Sequence, residues 1–76
     1  MWNYRIMKHT EGDGWYGLHE VYYNKRNQIC AWTKESLIPA RDTVEEIIEE
    51  LTMMRRDAKK SKDDVLDFDM EPEGDF

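Results

Sequence analysis

WYGLHEVYYN, Trp15 to Asn24, sets four aromatics, a leucine and a valine around one histidine and one glutamate. Aromatic and β-branched side chains suit a pleated, half-buried surface, so the stretch reads as a strand. The residues before it, HTEGDG at 9–14, have the glycines and short polar side chains of a hairpin loop. Upstream of that loop WNYRIM alternates, with Trp2, Tyr4 and Ile6 on one side and Asn3, Arg5 and Met7 on the other. Downstream, NKRN at 24–27 is a second turn and QICAWT resumes the strand pattern. Pro39 closes the extended region, because a residue without an N–H cannot join an interior ladder.

A helix is predicted next. Thr43 with Glu46 forms a capping box, and Asp42 with Glu45 offers the same pairing one step earlier. Val44, Ile47, Ile48, Leu51, Met54 and Ala58 recur at helical spacing and make one apolar stripe. Glu45, Glu46, Glu49 and Glu50 lead, and Arg55, Arg56, Lys59 and Lys60 follow, an order that complements the helix dipole. The pairs four apart (Glu45–Glu49, Glu46–Glu50, Arg55–Lys59, Arg56–Lys60) are like-charged and oppose the helix. Its stability must come from docking the stripe on the sheet.

Placing the second turn at 24–27 sets Val21 opposite Cys30 and His19 opposite Trp32. A first loop centred between residues 11 and 12 sets Tyr4 opposite His19 and Trp2 opposite Val21. Alternation then puts Trp2, Tyr4, Ile6, Trp15, His19, Val21, Tyr23, Cys30 and Trp32 on a face for the helix. His19 becomes one more residue in the wall of the core, with a hydrogen-bonded ring nitrogen, rather than a catalytic group. The opposite face collects Met7, Tyr16, Leu18, Tyr22 and Ile29, rimmed by Arg5, Glu20 and His9. An uncovered apolar-aromatic patch of that kind has the form of a protein-binding surface.

Seventy-six residues make one small domain, which buries only about 60% of its unfolded surface and needs further support. With one cysteine, Cys30, no disulfide framework exists, and a reducing, cytoplasmic compartment is the natural reading. The opening MWNYRIMKHT lacks the apolar core of an export signal, and no run approaches a membrane span. Oligomerisation or a partner is the expected support.

The net charge of −6 is concentrated at one end. Seven acids and no base fall in residues 63–76, while residues 1–62 carry the other ten acids and all eleven bases. The reading is therefore a folded domain over 1–62 and an acidic, flexible tail over 63–76. The nearly neutral body offers no strong field for phosphates and the tail repels them, which argues against nucleic acid. Leu66 and Phe68, flanked by Asp67 and Asp69, are candidate anchors with steering charge for docking on a partner.

Chemistry-bearing motifs are scarce. Cys30, His9 and His19 have no zinc spacing, and Asp67-Phe68-Asp69 resembles a metal-binding pair without a nucleotide domain to serve. GDG at 12–14 is a turn with no helix after it to cradle phosphate. No nucleophile has a base nearby in sequence, so neither enzyme activity nor a cofactor is expected.

WNYR at 2–5, Trp15, HEVYY at 19–23, Pro39, TVEEIIEEL at 43–51 and VLDFD at 65–69 resemble a family of short bacterial and phage proteins of uncharacterised function. The order strand, glycine loop, aromatic strand, strand and capped helix over residues 2–54 is also similar to the N-terminal domain of HicB-type antitoxins. The expectation is an α+β fold: a three-stranded antiparallel β-meander packed on one C-terminal amphipathic helix (βββα), followed by the tail. The expected function is non-enzymatic binding of another protein, either a host protein modulated or inhibited by a phage-encoded chain, or a second copy. The alternative is an antitoxin-like or nucleic-acid-linked regulator that uses a dimer and Lys25, Arg26, Arg55 and Arg56. A structural homodimer is the third reading.

Overall fold

A computed structural model of the chain describes residues 1–75. Strands β1 (Trp2–His9), β2 (Trp15–Tyr23) and β3 (Ile29–Trp32) come first, then helix α1 (Val44–Lys60) and a short strand β4 (Leu66–Asp67). The sheet order is β3-β2-β1-β4, antiparallel except for the parallel β1–β4 pair. The fold is α+β with one helix on a mixed four-stranded sheet, not on three antiparallel strands alone. The extra strand comes from the segment read as tail, where Leu66 and Asp67 pair with Met7 and Lys8.

The β1–β2 register differs from the expected one by a single residue. Trp2 faces Tyr22, Tyr4 faces Glu20, Arg5 faces His19 and His9 faces Trp15. The cause lies in the loop, which is symmetric about Gly12. Gly12 and Gly14 take φ of 59° and 83°, and the Gly14 N–H closes the turn on the Glu11 carbonyl at 3.0 Å. Two left-handed residues accommodate the extra position cheaply only because both are glycine. A slip of one residue moves every side chain of a strand to the other face. So Trp2, Tyr4 and Ile6 share a face with Tyr16, Leu18, Glu20 and Tyr22, while Met7 and His9 share theirs with Trp15, His19, Val21 and Tyr23. At the other seam Val21 faces Trp32, and an irregularity between Tyr22 and Tyr23 puts Tyr23 opposite Ile29.

Helix α1 lies against β1 on the Tyr4 face. Thr43 caps it, its Oγ1 accepting from the Glu46 N–H at 3.2 Å. Met54 is the buried residue of the helix, with Ile47, Glu50, Asp57 and Ala58 half-buried beside it. Asp57 Oδ2 accepts the Tyr4 N–H at 3.1 Å, at a point on β1 that short β4 leaves unpaired. Arg41 approaches Glu50 Oε2 at 2.6 Å as an ion contact, not as an aligned hydrogen bond.

Of residues 63–76, expected as a flexible tail, the described 63–75 run as a strap across the opposite face. Leu66, Phe68 and Met70 pack on the buried cluster of Met7, Val21 and Ile29, together with Tyr23 and Trp32. Arg5 holds the start of the segment through the Asp64 carboxylate at 3.0 Å and its carbonyl at 2.9 Å. At the far end the Glu73 N–H donates to the Ile29 carbonyl, and Glu73 Oε1 accepts the Ile29 N–H, each at 2.8 Å. The segment reads as polar overall, but its apolar residues fall at 66, 68 and 70, the spacing that gives an extended chain one apolar side. No helix among the described residues is long and apolar enough to cross a membrane.

Candidate partner-binding surface

The polar anchors of α1 decide which side of the helix stays open. Glu50 and Asp57 sit in the docked row with Ile47, Met54 and Ser61, at spacings of three and four. Holding Asp57 on the Tyr4 N–H turns the neighbouring apolar row away from the sheet. Val44 is 71% exposed, Ile48 57% and Leu51 48%. Next to this row lies a groove of about 450 Å³ between α1 and β2, with Leu51, Met54 and Ala58 on one wall and Ile6, Tyr16 and Leu18 on the other. Arg55 stands at its edge. The outer edge of β2 is not part of this opening, since Thr33 and Leu37 donate their N–H groups to Glu20 and Leu18 along it.

The residues singled out from sequence are divided between the two faces. Tyr16, 65% exposed, and half-buried Leu18 meet at the groove. Tyr22 shares their face but is half-buried, its hydroxyl donating to Glu20 Oε1 at 2.8 Å. That bond, with burial and the Glu20 charge, pushes the phenol pKa up. Met7 and Ile29 lie in the core on the opposite face, a correction to their place on an open patch: residues 66–70 cover that face, and the irregularity between Tyr22 and Tyr23 sets Ile29 on it. Leu66 and Phe68 dock on that same core. Asp67 and Asp69 are exposed, Asp67 Oδ1 accepting the Asp69 N–H and Asp69 Oδ2 accepting the Thr10 hydroxyl.

Periodicity alone places Val44, Ile48 and Leu51 on the sheet, and the structure turns them outward. A signal against that was present: with Ile47, Met53, Met54 and Ala58 they make more apolar circumference than one narrow sheet face can cover.

Beneath the strap, His9 and His19 are 3% and 0% exposed and their Nε2 atoms lie 2.8 Å apart. His19 Nδ1 sits 2.9 Å from the Thr33 carbonyl, which can only accept, so that nitrogen carries the proton. His19 Nε2 is then a lone pair and accepts from His9 Nε2–H. His9 Nδ1 is left buried without a partner among the described residues. The His9 ring lies between Trp15, with centroids at 3.7 Å, and Phe68 at 4.2 Å. Burial lowers the His19 pKa below its ordinary 6.5, the Thr33 carbonyl opposes this, and His9 lowers it further. Two nitrogens sharing a tetrahedral zinc would stand about 3.3 Å apart, so this spacing is a hydrogen bond. With the strap in place both rings are closed off from solvent.

Gly17 makes the pairing possible. It stands between Trp15 and His19 on their face, and a Cβ there would come within 2.9 Å of the Trp15 ring, 2.9 Å of Ser36 Cβ and 3.2 Å of His19 Nε2. A glycine inside a strand marks such close approaches.

Set against protein-family models, curated proteins and solved structures, the chain has no match in any of the three.

Proposed function

We propose that this chain is a non-enzymatic protein-binding module whose recognition surface is the open row of α1 and the adjoining groove. The observation that carries the reading is the exposure of Val44, Ile48 and Leu51 beside Tyr16 and Leu18. Contiguous apolar surface on a small domain is a contact site waiting to be covered, and a tyrosine at its centre suits a binding hot spot. Covering the exposed parts of the three helix residues recovers roughly 3–5 kcal/mol, at about 1.5–3 kcal/mol for each fully buried aliphatic side chain, a useful share of a specific interface. The strap supports the same assignment by already occupying the other sheet face.

The test compares the wild-type chain with the double variant Ile48→Glu, Leu51→Glu. Association is read by sedimentation of the pure protein and by capture from lysate of the source cell, with helix content followed by circular dichroism. Loss of every protein contact at unchanged helicity is the expected result. Retained association in the folded double variant would move recognition elsewhere, and a wild-type chain that binds no protein, itself included, would end the reading.

A further inference from the structure

We infer that the surface is covered by a second copy of this chain, with the two α1 helices packed antiparallel across a two-fold axis. The inference rests on the protein-binding reading above and names its occupant. Three observations converge on it.

First, Val44, Ile48, Leu51, Arg55 and Ala58 are spaced alternately by four and three residues, the seam of a two-helix coil. Second, the charge along α1 is split. Acids Glu45, Glu46, Glu49 and Glu50 fill its first half, and bases Arg55, Arg56, Lys59 and Lys60 fill its second. On the side of the seam away from the sheet, Glu45, Thr52 and Lys59 follow one another, all exposed. Parallel pairing would set the acidic half of each helix alongside the acidic half of the other copy. Antiparallel pairing sets the Glu45 end of each helix along the Arg55 and Lys59 end of the other, and attraction replaces repulsion at both ends.

Third, the surface is self-complementary, as a two-fold contact must be. Its projecting part, Val44 and Ile48, belongs to the first half of the helix. Its receiving part, the groove of Leu51, Ala58, Tyr16 and Leu18, adjoins the second half. Antiparallel packing brings the projection of each copy to the groove of the other, and the small side chain of Ala58 permits close approach.

The test uses complementary charge variants of the full chain. E45K and K59E should each self-associate about tenfold more weakly than wild type in sedimentation equilibrium, because like charges then face each other at both ends. An equimolar mixture of the two should form a heterodimer at close to wild-type affinity, since every contact between the unlike chains is again opposite in sign. Variants that dimerise as well as wild type, or a mixture that recovers nothing, would overturn the antiparallel arrangement. A photo-reactive amino acid at position 48, expressed in the source cell, separates the two levels of the argument. Cross-linking of two copies of the chain supports the inference. Cross-linking only to a different protein overturns the second copy and leaves the binding surface standing, and no protein adduct at all removes both.

Discussion

His9 and His19 approach Nε2 to Nε2 at 2.8 Å although their positions in the register are well separated, His9 opposite Trp15 and His19 opposite Arg5. Their rings close that gap by leaning over Gly17, which has no side chain to hold them apart. The interior beneath the strap is therefore built around a glycine and a hydrogen-bonded imidazole pair rather than around aliphatic packing alone.

Protonation should loosen this interior. The His19 pKa is lowered in the folded chain, so below 6.5 the unfolded chain binds the proton that the folded one refuses. Stability contributed by this group is complete above that value and is lost as the pH falls through it towards the depressed folded pKa. Denaturation midpoints measured between pH 5 and 8 should fall on the acid side, with a shallower fall in His19→Gln. A midpoint that rises on acidification would reverse the assignment of a neutral buried His19.

Adding one methyl group at Gly17 should be costly. Gly17→Ala is expected to lose about 1–3 kcal/mol, the usual range for overpacking, because the Trp15 ring, Ser36 and the His19 ring must all give way. Urea titration gives the loss, and the His9 and His19 imidazole resonances should shift together. Unchanged resonances would mean that the glycine does not hold the space for the pair.

The strap should matter to the stability of the body. Phe68 stacks on His9 and packs with Leu66 and Met70 on Met7, Val21 and Ile29. Phe68→Ala should cost about 3 kcal/mol, the low end for a phenylalanine because the ring is only half-buried. Amide exchange at position 68 and at Ile29 should accelerate, since the amide of residue 68 donates to the Lys8 carbonyl and the Ile29 N–H donates to Glu73 Oε1. A variant as stable as wild type would restore residues 63–75 to the role of a solvated tail.

Two neighbouring rows of one helix should respond in opposite ways. Ile48→Glu, on the open row, should change monomer stability by no more than about 0.5 kcal/mol, as surface substitutions do. Met54→Ala, on the docked row, should cost about 2–4 kcal/mol. Equal losses would mean that both rows are buried in the monomer.

The polar anchor of the helix can be tested separately. Asp57→Ala removes the acceptor of the Tyr4 N–H and should cost about 1–2 kcal/mol, whereas Asp57→Asn keeps an acceptor and should recover most of it. Thermal unfolding of the two variants makes the comparison, and equal losses would assign the effect to the charge beside Arg56 instead.

Much of this architecture is local and was legible in the chain itself. Alternation marks β1, aromatic density marks β2, glycines mark the loop at 10–14, and Thr43 with Glu46 marks the start of α1. Each depends on residues within a few positions of one another, so sequence by itself determined the α+β class, the order of the first four elements and the burial of His19, though not its face, which lies under the strap rather than under α1. Tertiary structure decided the rest, because each remaining choice turns on a small difference between distant groups. One residue of loop length, with two glycines at positive φ, selected the register and so exchanged the faces of β2. One unpaired N–H, at Tyr4, found Asp57 fifty-three residues away and turned the helix so that Val44, Ile48 and Leu51 face outward. The acidic segment joined the fold through three alternating apolar side chains, whose burial against Met7, Val21 and Ile29 outweighs the repulsion among its carboxylates.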